Sequence, residues 1–287
     1  VASHMDEVGF MLVNDEGEGL FAFEVVGGVD NRQLLAKTVS VGKEKIPGII
    51  GSKPIHLLEA DERHTVVNTQ SMRIDVGPAN GSRIKVGEYA AFATRFQQNG
   101  NTITGKALDN RLGVAGLIEL TRHIPENVEF MAAFTVQEEI GLRGARVAAY
   151  AFKPDFAFAL DSTPAIDLPR PDGEENTQYN CRLGSGPAIY LADAGTLSDP
   201  RLVRFLTEIA EAQQIPYQYR QPGGGGTDAG ALHKTGAGIP TVSISVPGRY
   251  AHTAILMAQV TDWENTLRLM IAALQNISVD LLKVDRS

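Results

Sequence analysis

Two adjacent carboxylates, Glu138 and Glu139, stand in the stretch "FTVQEEIGLRGA", where the apolar run "VEFMAAF" gives way to glycine, arginine and alanine. The run reads as a buried strand and the acids as the turn that ends it. Neighbouring side chains leave an extended backbone in different directions, so this pair suits two tasks better than one. One carboxylate can hold a metal ion while the other accepts a proton from whatever is bound beside it. A solvated turn is the commonest fate of paired acids, and short motifs match by accident. The rest of the chain has to decide between these.

Counting this pair, five places put a metal-type ligand at the end of a buried strand or in its following turn. The other four are His4 and Asp6 in "SHMDE", Asp109 in "KALDNRLG", Asp161 in "FALDSTP" and His252 in "GRYAHT". In α/β sheets, sites form beyond the carboxyl ends of the strands, so ligands at strand ends converge. Two histidines with three carboxylates make a donor set that suits zinc, cobalt or manganese, not an iron–sulfur or thiolate site. One carboxylate can bridge two ions, so five side chains are enough for a pair about 3.5–4 Å apart. Each residue also has a plainer role open to it. Asp109 could cap a helix, Asp161 could start a turn, and His252 could be a satisfied or surface histidine. His56, His64, His123 and His233 are assigned to such structural roles.

Composition narrows the field. The chain has 287 residues with 43% hydrophobic content, ample for two domains, and a net charge of -8 that leaves no basic field for nucleic acid or an anionic membrane. The single cysteine, Cys181, excludes an internal disulfide and fits a reducing, cytoplasmic setting. No apolar run approaches the length of a membrane span. The opening "VASHMDEVGF" reads as the end of a buried strand, so an N-terminal portion is expected outside this sequence.

The elements that must position these residues fall into two textures. From 14 to 103 short apolar runs alternate with glycine, proline and asparagine signals, including a hairpin turn at Asn99-Gly100, and predict a small all-β barrel or sandwich. After that, strands and helices alternate: a helix over "LDNRLGVAGLIELTRH", the strand "VEFMAAFTV", a short helix near 145–151, and the strand "DFAFALD". The polar loop "RPDGEENTQYN" and the strand "PAIYLA" follow, then a helix opened by Asp199-Pro200. A short helix closed by Gly236, the strand "IPTVSISV" and a last helix with a Thr261–Glu264 capping box complete the chain. This predicts an α/β domain made of 1–13 and 104–287, interrupted by a β-rich domain over 14–103.

The blocks "ASHMDEVGF", "KALDNRLG", "VQEEIGLRGA", "LDSTPA", "GGGTDAGALH" and "RYAHT" occur in this order in the dinuclear metallo-aminopeptidases of the glutamyl and tetrahedral aminopeptidase family. The chain resembles that family over essentially its whole length. The resemblance implies a three-layer α/β metallopeptidase domain interrupted by a small barrel-like domain. It implies two divalent ions, zinc foremost and cobalt or manganese as alternatives. His4 and Asp161 look like ligands of one ion, Glu139 and His252 of the other, and Asp109 like the bridge between them. Glu138 resembles the general base, and Asp6 the residue that orients His4. Peptides are the implied substrates, and a homo-oligomer, a dodecamer in many members, the implied assembly.

Other readings stay open at this level. An N-acyl amino acid deacylase would show the same metal centre, and a non-catalytic metal-binding scaffold would need the ligands without Glu138. A glycosidase fits poorly, since such enzymes normally work with two carboxylates and no metal set. A glutamyl preference would need a basic group, for which Arg249, Arg143 and Arg170 are candidates. Family members usually carry several tens of residues before the "HMDE" block and a longer segment around "DVGPANGSRIKVGEYA". Without the former, the sheet edge beside His4 is expected to lie uncovered.

Overall fold

The computed structural model describes residues 1–174, 176, 180–221 and 224–283. The first strand, β1 (Ala2–His4), belongs to a nine-stranded sheet, and the chain leaves that sheet at once. Six strands then close a barrel: β2 (Gly9–Asp15), β3 (Leu20–Val26), β4 (Thr38–Val41), β5 (Ile46–Gly51), β6 (Arg73–Asp75) and β7 (Tyr89–Phe92). Their order around the barrel is β2-β3-β6-β5-β4-β7. Alternate residues point inward, so Phe10, Leu12, Phe21 and Phe23 fill the interior, with Phe10 edge-on to both Phe23 and Phe92 at 5.2 Å. Closure leaves the barrel no free edge.

The chain returns to the large sheet through the hairpin β8 (Gln97–Asn99) and β9 (Thr102–Gly105), then runs into α1 (Leu108–Leu120). There follow β10 (Ala133–Thr135), α2 (Arg143–Phe152), β11 (Ala157–Pro164), β12 (Ala188–Tyr190), α3 (Pro200–Ala212) and β13 (Gln218–Arg220). The last elements are α4 (Ala229–Leu232), β14 (Thr241–Arg249), β15 (Leu256–Gln259) and α5 (Val260–Asn276). The sheet order is β10-β1-β11-β14-β15-β9-β8, with β12 also paired to β14 and β13 to β12. Neighbouring residues of β11 face opposite ways, and the sequence uses this. Phe158 and Leu160 pack with α3 and α5 residues such as Leu206 and Leu269, while Ala157 and Ala159 meet the alanines of α2 and α4. Bulky side chains on one face and alanine on the other give the three-layer arrangement.

Several local expectations change. The barrel takes residues from Gly9 onward, inside the 1–13 segment assigned to the α/β part, and the hairpin over 97–105 belongs to the large sheet. The strand expected over "VEFMAAFTV" is only Ala133–Thr135, and it lies at the sheet edge with Phe134 exposed. Among the described residues β10 is the strand at that edge, and β1 lies between β10 and β11. The capping box at the last helix does not form: α5 starts at Val260 with Gln259 as N-cap, and the Thr261 N–H donates to Asn101 Oδ1 at 3.0 Å. Asn101, in the returning hairpin, replaces the local cap with a distant one. Asp199 does cap α3, accepting from the Arg201 N–H at 3.0 Å. The polar loop expected over 170–180 lies partly outside the described residues. Among the described residues no helix is long and apolar enough to cross a membrane.

Candidate metal centre

Three adjacent parallel strands bring the first ligands together. In the ladder of β1 and β10, His4 stands opposite Thr135, three residues before Glu138; in that of β1 and β11, Ala2 stands opposite Ala159, two residues before Asp161. The carboxyl ends of these strands therefore place His4, Glu138, Glu139 and Asp161 in one region. Asp109 arrives from the start of α1 and His252 from the turn after β14. Among the described residues, two groups of donor atoms lie close enough to share an ion: His4, Asp109 and Asp161, and Asp109, Glu139 and His252.

The distances fit ions. His4 Nε2 is 3.4 Å from both Asp109 Oδ1 and Asp161 Oδ1, and His252 Nε2 is 3.8 Å from both Asp109 Oδ2 and Glu139 Oε2. A tetrahedral ion with bonds of about 2.0–2.1 Å holds its ligand atoms about 3.3 Å apart. The two oxygens of Asp109 face different histidines, which is what a bridging carboxylate requires. Glu138 Oε2 approaches His4 Nε2 at 4.0 Å. The adjacent glutamates thus point to different places, as their sequence positions suggest.

Backbone and outer contacts hold these groups. Asp109 is not a helix cap: the N-cap position is Ala107, and Asp109 has non-helical angles inside the first turn. Asn110 fixes that turn by donating to Ser3 Oγ at 3.0 Å and to the Leu160 carbonyl at 2.8 Å, while its Oδ1 accepts from Gly113 N–H at 3.1 Å. A Cβ on Gly113 would lie 2.4–2.7 Å from three of those oxygens, so only glycine fits. Ala107, Gln137 and His252 all have φ between 54° and 62°, costly for residues other than glycine and clustered beside the ligands.

Asp6 has a double role that differs from the one expected. Its backbone carbonyl, at 3.1 Å, is the nearer partner of His4 Nδ1, with the carboxylate at 3.7 Å. The carboxylate accepts the backbone N–H groups of Glu138 and Glu139, each at 3.2 Å. One residue thus orients a histidine and fixes the turn that carries both glutamates. His252 Nδ1 is held at 2.7 Å by the carbonyl of Gly28, in the segment that leaves β3 of the barrel. With each Nδ1 engaged, Nε2 is the atom left for an ion.

The electrostatics describe a site built for positive charge. Burial pushes Glu138 up to about 9 and Glu139 up to about 7, with further upward pressure from Asp161 and Asp109 respectively. Burial raises Asp161 as well. In His4 burial works downward, but Asp161, Asp109 and Asp6 outweigh it and the net shift is upward. His252 is raised in the same way by Glu139 and Asp109. Protons are held where cations would balance the same charges.

The remaining expectations are placed as follows. His233 Nε2 meets the Gly195 carbonyl at 2.9 Å, and His123 is an exposed neighbour of Glu119. His56 and His64 are exposed. The basic candidates do not reach the centre. Arg249 is held by Asp167 at 2.6 and 2.9 Å and Arg170 by Asp172 at 2.7 Å, while Arg143 lines a separate cleft of about 640 Å³. The basic group that does line the cavity, of about 90 Å³, with His4, Asp109, Glu138 and Asp161 is Arg220. Sequence reasoning passed over it, although it too ends a strand, in "YQYRQPGGGG".

Comparison with known proteins identifies the family and the fold. The M42 glutamyl aminopeptidase family matches residues 1–269. A putative aminopeptidase of Acetivibrio thermocellus is 34% identical over 96% of this chain and 81% of its own length. The lysyl aminopeptidase of Pyrococcus furiosus is 33% identical over 96% of this chain and 81% of its own length, and the glutamyl aminopeptidase of Lactococcus lactis 33% over 99% and 82%. Among solved structures, the TET aminopeptidase of a marine sediment Thaumarchaeota archaeon superposes with a TM-score of 0.90 at 34% identity, covering 98% of this chain and 82% of that one. The TET1 peptidase of Pyrococcus horikoshii, which can assemble into a tetrahedron or a large octahedral shell, gives 0.80 at 33%, covering 94% and 81%. With a third of residues identical across nearly its full length, the chain belongs to the M42 glutamyl aminopeptidase family and is a peptide hydrolase of the aminopeptidase type.

Proposed function

We propose that the chain removes N-terminal residues from peptides with a dinuclear metal centre. His4 and Asp161 would hold one ion, Glu139 and His252 the other, and Asp109 has one oxygen toward each. The observation that carries this reading is the Asp109 carboxylate, whose two oxygens lie 3.4 Å from His4 Nε2 and 3.8 Å from His252 Nε2. Bound there, two divalent ions supply Lewis-acid polarisation of a carbonyl and acidify water towards neutral pH. Zinc suits the imidazole and carboxylate donors best, with cobalt and manganese as alternatives.

The chain's own residues supply the proton handling. Glu138 is the carboxylate left without an ion. Burial raises it and the charge of His4 opposes that rise, and a carboxylate beside the ion ligands rather than among them is placed to accept and return a proton. It takes a proton from the attacking water and delivers it to the departing amine nitrogen. Asp6 holds the Glu138 and Glu139 backbone in place while this happens. The assembly proposed is a homo-oligomer, a dodecamer or related shell, supported by the likeness to the TET1 peptidase. A cytoplasmic location is supported by the lone cysteine.

Glu138→Gln should keep both ions, counted by elemental mass spectrometry, and lose at least about 10²-fold in kcat. Wild-type turnover in that variant would show that the base lies elsewhere. Amino-acid anilides with a free amine should be cleaved and their N-acetylated counterparts rejected; the reverse would point to a deacylase.

A further inference from the structure

We infer that Arg220 is a further catalytic residue: its guanidinium receives the negative charge that the scissile carbonyl oxygen gains when water adds to it. The inference rests on the aminopeptidase reading of the cavity. It concerns the reacting oxygen, which every peptide substrate shares, and not the side chain of the first residue.

Arg220 ends β13 and pairs in register with Tyr190 of β12. It is 4% exposed, and its guanidinium carbon lies 4.7 Å from the centre of the Tyr190 ring. Nε donates to Thr163 Oγ1 at 3.3 Å, Nη1 to the Gln221 carbonyl at 3.1 Å and Nη2 to the Gly224 carbonyl at 2.9 Å. These contacts fix the fork, use three of its five N–H donors on neutral acceptors, and leave two. Among the described residues, Arg220 forms no ion pair, unlike Arg249, Arg170 and Arg201, each of which holds an aspartate. The acids of the centre that form ion pairs do so with His4 and His252, and Asp228 accepts from Thr135. Tyr190 and Cys181 feel the guanidinium, but burial pushes the phenol up and the thiol up to about 12, so both stay neutral. A guanidinium stays charged at any pH a protein meets, and buried charges are ordinarily paired.

The place of this charge is what gives it a task. One cavity of about 90 Å³ is lined by His4, Asp109, Asp161 and Glu138 together with Arg220 and Tyr190. Sites that take a whole small molecule measure about 300–1,000 Å³, so a group held in this one is close to the guanidinium as well as to Glu138. Gly224, Gly225 and Gly226 also line it, and a Cβ on any of them would meet nothing within 4 Å, so the space beside Arg220 is open. When water adds to the scissile carbonyl, the new C–O bond moves the π pair onto the carbonyl oxygen and Glu138 takes the proton. The charge on that oxygen lasts until the C–N bond breaks, the pair returns and the proton goes to the departing nitrogen. A ground-state amide is neutral, so Arg220 meets an anion only as that charge develops. An interaction gained at that point and absent before it raises kcat.

The test measures kcat and KM of the metal-loaded protein on leucyl, lysyl and glutamyl anilides. Calorimetry adds the binding of the phosphonate analogue of leucine, a tetrahedral anion, and of leucinol, which carries no negative charge. Arg220→Met should keep its ions by elemental mass spectrometry and lose about 10²-fold in kcat with KM little changed, the cost of removing one oxyanion donor. The loss should be alike on all three anilides, and the phosphonate should bind about 10²-fold more weakly while leucinol binding holds. Arg220→Lys, which keeps a charge without the planar fork, should recover part of both. Wild-type turnover in Arg220→Met, a loss confined to one first residue, a rise in KM alone, or a lost ion overturns the inference. Equal weakening of phosphonate and leucinol overturns it too. If Arg220→Met does not fold, Arg220→Lys decides by the same pattern at a smaller loss. Phosphonate binding that depends on Arg220, with no anilide hydrolysed by the wild type, would remove the aminopeptidase reading and keep an anion site here. Anilides cleaved equally well by wild type and Arg220→Met would do the reverse.

Discussion

Stripped of cations, the centre should hold protons that it surrenders when cations return. Glu138 is pushed up to about 9 and Glu139 to about 7, and Asp161, His4 and His252 are all shifted upward as well. Each group therefore binds its proton more tightly in the folded chain than in the unfolded one. Linkage fixes the sign: such a group contributes stability below its unfolded value and loses it as pH rises through the folded value. For Glu139, whose side chain is 5% exposed, the rise from 4.5 to about 7 corresponds to about 3 kcal/mol at 1.36 kcal/mol per unit. In a chain of this size that is roughly 6–12 °C in melting temperature. The metal-free protein, prepared with a chelator, should melt at lower temperature at each step from pH 5 to pH 9. Added zinc should raise the melting temperature more at pH 8 than at pH 6. Titration calorimetry at pH 7, repeated in buffers of different ionisation enthalpy, should find about two protons released, chiefly from Glu138 and His4. A metal-free melting temperature that stays level or climbs over this range, or zinc binding without proton release, refutes the reasoning.

Two further substitutions separate the parts of the centre. Asp109→Asn should weaken both ions together, because its two oxygens serve both histidines, whereas His252→Ala should retain about one ion per chain by elemental mass spectrometry. Gly27→Ala should lower stability by about 1–3 kcal/mol in a denaturant melt, because its Cβ would fall 2.9 Å from Val8 Cγ1 and 3.3 Å from Glu139 Cβ, at a φ of +89°.

The candidate metal centre was legible because its candidate ligands obey a simple rule of position. His4, Glu138, Glu139 and Asp161 end apolar runs, and parallel pairing of β1, β10 and β11 carries those ends to one place. The alternation of texture that separated the barrel from the α/β part was equally visible, since period-two runs punctuated by glycine and proline differ from longer helical patterns. What escaped depended on contacts distant in sequence. Thr261 and Glu264 have the spacing of a capping box, but Asn101, 160 residues away, satisfies the helix start instead. The apolar run before Glu138 looked buried on both faces, yet its strand lies at the sheet edge and Phe134 is exposed. Arg220 was missed because an isolated arginine before a glycine tract carries no local sign of burial. The family resemblance assigned Asp6 to His4, and its grip on the Glu138–Glu139 backbone is visible only once β1 and β10 are paired.

The hold of Gly28 on the His252 ring, at 2.7 Å, has a reach beyond the chemistry. That carbonyl belongs to the strand exit of the barrel, and Gly27 beside it packs on Glu139. Both side chains assigned to the second ion therefore lean on a unit that supplies no donor of its own. Any event that tilts or repacks that unit, whether subunit docking, a loop exchange or heat, would be felt first as looser grip on one cation of the two. Protein loaded with two ions that has lost one yet kept its secondary structure would be the signature of such damage.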